Sequence, residues 1–558
     1  MTPLPGRLDF RFAAFGILLA AALLFGIRLG DRDVVSEELR FAEVAREMTL
    51  TGDYLHPAIN GKSYYDKPLG SYWLIVAASH FTGGVDETAA RLPAAIAGWL
   101  GVCLAMMLGR ELYDPRTALW SGAILATCFS FAFYARRATA DIETVTGTLA
   151  AVTLFAHCRE RRSGAWVLGL WLIMGFTSLT KGLLGFALPI AVLGTYGLWS
   201  TLTVRTDLAA LPRLYLDRNR WFFNRWTPLA APLGVAVFLL PYLLSGWQSG
   251  LEEGLALVYR ENVKRFFQPH NHTGPIYLYV PVLFLLAAPW GLFLPASLWP
   301  RRDAADADRL VKAYFWGLFV FFTLSASRRS YYLLPILPAV ALLVARVVNT
   351  PVESLSTTAR RLLNAAYTIV ALGVALAGVL LLSPADILPP PYDRLPPLPA
   401  RPWFAVGWLA GVALVVCAIR HPRWRSPAAL AVTVAGLGFG LLVALPAMDD
   451  YRTRRSFAAD VNRAVASEPE KLALYHARDV VFQLARPVPM PDFEDADAFH
   501  TAAASGQIRW VIVRRRYWPQ LARTPTTPIL EEATHPWEGA DQLGDKMLLL
   551  EIGPSVRP

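Results

Sequence analysis

The sequence predicts an α-helical polytopic membrane protein with about thirteen transmembrane helices and a small C-terminal α/β domain. Three observations predict it. Of 558 residues, 54% are apolar and only 17% charged, and the mean hydropathy is +0.37, more than a soluble core of this size needs. Runs almost free of charge recur until about residue 447, and several reach the roughly 20 residues that a bilayer-spanning helix requires. Beyond that point the composition is that of an ordinary soluble domain. A purely cytosolic protein is excluded.

Spans are expected near residues 11–29, 90–109, 117–135, 141–157, 165–179, 183–201, 229–246, 275–297, 311–325, 331–347, 362–383, 403–419 and 427–447. The first follows Arg7 and Arg11 as a signal peptide would, but it runs into a multispanning chain without a convincing cleavage site, and reads as a retained helix. With the N-terminus inside, the cytoplasmic loops collect Arg159, Arg161 and Arg162; Arg205, Arg213, Arg218, Arg220 and Arg225; Arg301, Arg302, Arg309 and Lys312; and Arg420, Arg423 and Arg425. That is the positive-inside pattern. An odd number of crossings puts the C-terminal domain, residues 451–558, outside: in the periplasm, if the membrane is a bacterial inner membrane.

The net charge of +10 is spread over these loops without a basic stripe or tail, so nucleic acid is not an expected partner. Cys103, Cys128, Cys158 and Cys417 sit in or at the ends of apolar runs with no CxxC spacing, which argues against a disulfide framework or a thiolate zinc site. Basic residues also occupy outside turns: Arg136, Arg137, Lys181, Arg328 and Arg329. Each could snorkel to headgroups; together they point to something anionic on that face.

Two long outside segments, 30–89 and 248–274, carry most of the polar chemistry. In SEELRFAEVAREM, Ser36 is a good N-cap, and Phe41, Val44, Ala45 and Met48 recur with the period of a short amphipathic helix at the membrane surface. The same count turns Glu37 and Arg40 toward the buried side and Glu43, Arg46 and Glu47 toward water. Glu37 and Glu38 could equally serve the helix macrodipole. In NGKSYYDKPLGSYW, a glycine turn, Tyr64, Tyr65, Asp66, Lys67 and Pro68 precede a semi-apolar stretch from Trp73 to Phe81. An ammonium beside phenolic hydroxyls suits a phosphate oxygen, while an aromatic belt with a snorkelling lysine is the plainer alternative.

Taken in order, the acidic pair with RFA (Glu37 to Ala42), YYDKPLGSYW, Arg91-Leu92-Pro93, Asp141, Thr180-Lys181-Gly182 and YYLLP (Tyr331 to Pro335) resemble the GT-C type glycosyltransferases. The pattern is most like the bacterial lipid A aminoarabinose transferases and their protein O-mannosyltransferase relatives, over about four fifths of the chain. The resemblance implies a polyprenyl (undecaprenyl) phosphate sugar donor, a lipid A or other periplasmic acceptor, and an outward-facing cavity in residues 1–450, roofed by the two outside segments. It also implies a lipid groove between helices.

Carried over by position, the resemblance gives catalytic roles to Glu37 and Asp141. It assigns phosphate and donor binding to Lys67, Arg40, Lys181, Arg265, Tyr64 and Tyr332. Relatives usually show Asp-Glu where this chain has Glu37-Glu38, so its first acid is one methylene longer. In LVYRENVKRFFQPHNH, Lys264 joins Arg265 as a candidate phosphate ligand. His270 and His272 could bind a metal with Asp66, but histidines in a polar loop are more often solvated. No metal and no cofactor is assigned.

The residue types fit the chemistry. A departing lipid phosphate gathers negative charge as the glycosidic bond lengthens, and surrounding cations stabilise it. A hydroxyl acceptor would require Glu37 or Asp141 as general base. An acceptor phosphate, already anionic, would leave those acids to orient the sugar or to meet its amino group. Inverting displacement is the mechanism implied by analogy. Asp141 could also be no more than an N-cap of its helix.

The C-terminal residues alternate β-like runs, KLALYH, RWVIVRRRYW and KMLLLEIG, with helical stretches and offer an accessory role. Residues 384–402 form a Pro-rich outside loop. GFTSLTK, Gly175 to Lys181, is no Walker loop: Thr180 stands where glycine must precede the lysine, and Gly182 where Ser or Thr must follow. A transporter or flippase for a lipid-linked sugar is the alternative from another class, but its charges would be expected near the midplane of broken helices.

Overall fold

A computed structural model describes residues 7–160, 164–203, 208–249, 274–299, 306–382, 420–447, 453–534 and 540–553, with short pieces between 408 and 416 and single residues at 449 and 538. The chain opens with α1 (Arg7–Gly26), α2 (Glu37–Thr51), the hairpin strands β1 (Ala58–Ile59) and β2 (Lys62–Ser63), and α3 (Leu69–Thr82). There follow α4 (Glu87–Leu112), α5 (Pro115–Thr127), α6 (Phe129–Tyr134), α7 (Asp141–Cys158), α8 (Trp166–Lys181) and α9 (Leu184–Leu202). Local chemistry sets the ends. Asp86 and Asp114 accept backbone N–H groups at the starts of α4 and α5, and Gly52 and Gly83 close α2 and α3 in the left-handed region.

Among the described residues seven helices are long and apolar enough to cross a membrane, or eight if the pair Ile276–Leu286 and Trp290–Leu298, bent by 110°, counts as one. The expected span at 117–135 is interrupted at Cys128, whose backbone is extended between α5 and α6. The freed Phe129 N–H donates to the Ala288 carbonyl at 2.9 Å, so one broken span satisfies another. Small residues let the bundle close: a Cβ on Gly175 would stand 2.5 Å from the Gly234 carbonyl oxygen, which marks where α8 meets the helix Thr227–Ser249.

The C-terminal residues form a five-stranded sheet in the order β4-β3-β5-β7-β6, from β3 (Leu472–Tyr475), β4 (Asp492–Phe493), β5 (Trp510–Arg514), β6 (Thr526–Glu531) and β7 (Met547–Ile552). β3 is parallel to β4 and β5, and β7 is antiparallel to β5 and β6. Period-two alternation sends Leu472, Leu474, Trp510 and Ile512 into one core and Ala473, Tyr475, Val511 and Val513 into the other.

This sheet docks on α2 and the β1–β2 hairpin, and that contact overturns part of the reading of α2. Phe41, Val44, Ala45 and Met48 are buried as expected, but so are Glu43 and Glu47, each 2% exposed, whereas Arg40 is exposed. Glu43 takes a two-pronged ion pair from Arg46, with both contacts at 2.8 Å. Arg46 in turn reaches the Arg486 carbonyl, and Glu47 accepts the Asn60 and Gly61 N–H groups of the hairpin. Segments distant in sequence cover the face that helical period alone assigns to water. Ser36 has φ 58 and caps nothing through its side chain; Glu38 instead accepts the Val35 N–H.

Candidate active site

α2 is pinned by the second acid of its pair. Glu38 is buried against Arg91 of α4 at 2.9 and 3.2 Å and accepts the Ala138 N–H at 2.9 Å. Arg91 also donates to the carbonyls of Leu29, Arg32 and Asp33. Burial would raise the Glu38 carboxyl, but the charge and hydrogen bonds of Arg91, with Arg137 and Ala138, hold it below the usual carboxylate range. The Arg of the Arg-Leu-Pro motif is thus a structural fastener. Arg136 is likewise one: it donates to the Leu24 and Ile27 carbonyls at the end of α1. Arg328 donates to Gly274 and Thr323 carbonyls. Of the outside basic residues, Lys181 and Arg329 are the ones paired with the candidate acids.

With α2 fixed, two polar groups form beside its first turn. In one, Arg40 donates to the Tyr64 hydroxyl at 3.3 Å, Tyr64 donates to Asp66 at 3.2 Å, and Lys67 donates to Asp66 at 2.8 Å. Burial would raise Asp66, but the Lys67 ammonium, through charge and hydrogen bond, and the Tyr64 hydroxyl take it below its ordinary range. Burial, reinforced by the Asp66 anion, pushes Tyr64 up to about 12. In the other group, Lys181 pairs with Asp141 and stands 5.5 Å above the Tyr331 ring and 5.9 Å above Tyr332. Arg329 joins Glu37 at 2.8 Å and also donates to the Tyr331 hydroxyl. Asp141 opens α7, whose N-cap position belongs to Ala140; its carboxylate serves Lys181 and makes no side-chain cap.

The two groups are neighbours because α3 starts against the end of α8. Ser71, one turn beyond Lys67, donates to the Thr180 carbonyl at 2.9 Å, and Gly70 lies so close to Leu179 that a Cβ would stand 2.6 Å from its carbonyl oxygen. Pro68 supplies the extended N-cap that aims α3 there. Tyr65 reaches Ser245 at 3.0 Å near the end of the helix Thr227–Ser249. Arg265, Lys264, His270 and His272 lie outside the described residues. Among the described residues no group of three or more His, Cys, Asp or Glu could hold a metal. In the sequence Glu38, Arg91 and Tyr331 stand only as members of motifs without a site role, Arg329 as a cation on the wrong side of the charge rule, and Tyr134 leaves no signal.

Two carboxylate-held lysines lie with phenols and arginines at one end of an apolar helical bundle, and similarity to known proteins shows the class, a membrane glycosyltransferase of the GT-C type. Residues 66–216 match the family described as dolichyl-phosphate-mannose-protein mannosyltransferase. An undecaprenyl phosphate-α-4-amino-4-deoxy-L-arabinose arabinosyl transferase of Pseudomonas fluorescens is 30% identical over 454 residues, 78% of this chain and 75% of that one. One from Pseudomonas aeruginosa is 28% identical over 397 residues, 68% and 67%. ArnT from Cupriavidus metallidurans, crystallised with undecaprenyl phosphate, superposes with a TM-score of 0.74 at 20% identity over 96% of this chain and 97% of that one, which shows a shared fold. The chain belongs to the family of undecaprenyl phosphate-aminoarabinose arabinosyl transferases.

Proposed function

We propose that this enzyme moves 4-amino-4-deoxy-L-arabinose from undecaprenyl phosphate to a phosphate of lipid A on the periplasmic face of a bacterial inner membrane. The reading places about thirteen spans across the membrane, with residues 451–558 outside as an accessory domain. Lys67, Arg40, Lys181, Arg265, Tyr64 and Tyr332 hold the donor phosphate, and Glu37 and Asp141 address the sugar. The acceptor oxygen bonds to the anomeric carbon from the face opposite the donor phosphate, whose C–O bond breaks, inverting the centre and releasing undecaprenyl phosphate. Cations stabilise that leaving group. An acceptor phosphate brings its own negative oxygen, so the acids are free to receive the amino group.

The observation that carries the reading is the approach of the Lys67 and Lys181 helix ends, fixed by the Ser71 bond to the Thr180 carbonyl. The test is to incubate purified enzyme with undecaprenyl phosphate-aminoarabinose and lipid A and to follow product mass. Wild type should add one sugar to lipid A, whereas Lys67→Ala and Asp141→Asn should each lose about 10²–10³-fold in kcat while inserting normally. No transfer from the lipid phosphate donor refutes the assignment. Sugar on a Ser/Thr peptide would favour a protein O-glycosyltransferase, the reading that the mannosyltransferase match at residues 66–216 supports.

A further inference from the structure

Glu37 draws its cation from far along the chain. Arg40, three residues on in α2, is its natural helical partner, yet that guanidinium is turned to the Tyr64 hydroxyl at 3.3 Å. Instead Nη1 of Arg329, 292 residues away in sequence, donates to Oε1 of Glu37 at 2.8 Å and also to the Tyr331 hydroxyl. Among the described residues Oε2 of Glu37 has no hydrogen-bond partner.

Arg329 is itself well placed to hold a carboxylate still. It stands directly before the 3-10 turn Ser330–Ile336, and its guanidinium lies 5.6 Å from the Tyr331 ring centre. That ring packs on Tyr134 at 5.9 Å and carries Lys181, the partner of Asp141, at 5.5 Å. Glu37 and Asp141 are therefore each tied to a cation that contacts the same tyrosine. Glu37 needs such a tie: its side chain has three torsions and is 40% exposed, and the turn before it has no side-chain cap. An ion pair this exposed adds little to stability. Its geometric effect is larger, because it joins α2 to the turn that bears Tyr331 and Tyr332.

We propose that Arg329 is a positioning residue for sugar transfer: it takes one oxygen of Glu37 and fixes the carboxylate relative to the Asp141–Lys181 pair, leaving Oε2 to receive a hydroxyl or amino group of the sugar. This rests on the arabinosyl-transfer reading above. Glu37 and Arg329 then act as one unit, and the donor phosphate is held elsewhere.

The test measures kcat and donor KM of the full-length enzyme as wild type, Arg329→Lys, Arg329→Gln, Glu37→Gln and the double variant Glu37→Gln/Arg329→Gln. Arg329→Gln should lower kcat about tenfold or more, the size of a lost positioning contact, with donor KM within about twofold. Arg329→Lys should recover most of the loss, and the double variant should be no slower than Glu37→Gln. A raised donor KM at unchanged kcat would make Arg329 a phosphate ligand and overturn the proposal. So would losses that multiply in the double variant. Hydrogen exchange supplies a readout independent of turnover: Arg329→Gln should speed exchange in the first turns of α2 and leave the C-terminal sheet unchanged, and an unchanged α2 overturns the proposal. A wild type that transfers no sugar from undecaprenyl phosphate-aminoarabinose refutes the substrate assignment instead, and exchange alone then decides Arg329.

Discussion

Asp66 and Asp141 each neutralise a lysine that the resemblance assigns to phosphate, so under the proposed function an arriving phosphate competes with a carboxylate for each ammonium. This sets the pH behaviour of the Arg40–Tyr64–Asp66–Lys67 chain. A carboxyl depressed in the folded state contributes stability above its unfolded value, near 3.9, and loses it as pH falls through the lower folded value. Asp66 is of that kind, and Tyr64 titrates only near 12. Neither Asp66 nor Tyr64 therefore changes protonation between about pH 5 and 9, and donor KM should be flat over that range when initial rates are read by product mass. Asp66→Asn removes the anchor but keeps the ammonium, and should cost about tenfold in kcat/KM, less than Lys67→Ala. Equal losses would mean that Asp66 itself contacts the donor.

The elements that carry these residues are set by contacts of two kinds, one polar and one steric. Glu38 and Arg91 are 2% and 3% exposed, so Glu38→Ala leaves a buried guanidinium without its anion, a loss of about 3–5 kcal/mol. The expected outcome is a lowered thermal midpoint and poor yield of folded protein. Gly70→Ala tests the steric contact: the added methyl would meet Leu179 backbone, move the start of α3 from α8, and reduce kcat/KM in protein that still inserts. Much of this level was legible in the sequence. The period of Phe41, Val44, Ala45 and Met48 gave α2, and the order of the motifs brought Lys67, Asp141 and Lys181 to one set of helix ends. What escaped depended on distant partners. Glu43 is buried in a pair with Arg46, whose guanidinium reaches the Arg486 carbonyl, Glu47 is buried because the hairpin comes to it, and the break at Cys128 is tolerated because Ala288 accepts the freed N–H. None of these three distant partners leaves a trace in local periodicity.

At the scale of the molecule, the segment from Arg32 to Lys67 is held between the helical bundle and the C-terminal sheet. The strand runs KLALYH, RWVIVRRRYW and KMLLLEIG coincide with β3, β5 and β7, but nothing in them announces where the sheet docks. The centre of the docking is Asn60, 2% exposed and in the left-handed region. Its amide donates to the Met490 carbonyl at 3.0 Å and its oxygen accepts the Met490 N–H at 2.7 Å. Lys62 pairs with Asp492 of β4 at 3.0 Å, and Arg32 forms a two-pronged pair with Asp449. Asn60→Ala removes both reciprocal bonds and leaves two buried backbone groups of Met490 unsatisfied, a loss of about 1–3 kcal/mol per group. That is enough to open the hairpin locally without unfolding the bundle. Hydrogen exchange should rise over residues 58–67, and turnover should fall with it, because Tyr64, Asp66 and Lys67 hang from this hairpin. Arg523→Ala, which breaks an exposed pair with Asp497, should change neither. Unchanged exchange over 58–67 in Asn60→Ala would show that the bundle alone holds the hairpin and that the sheet contributes nothing to the candidate site.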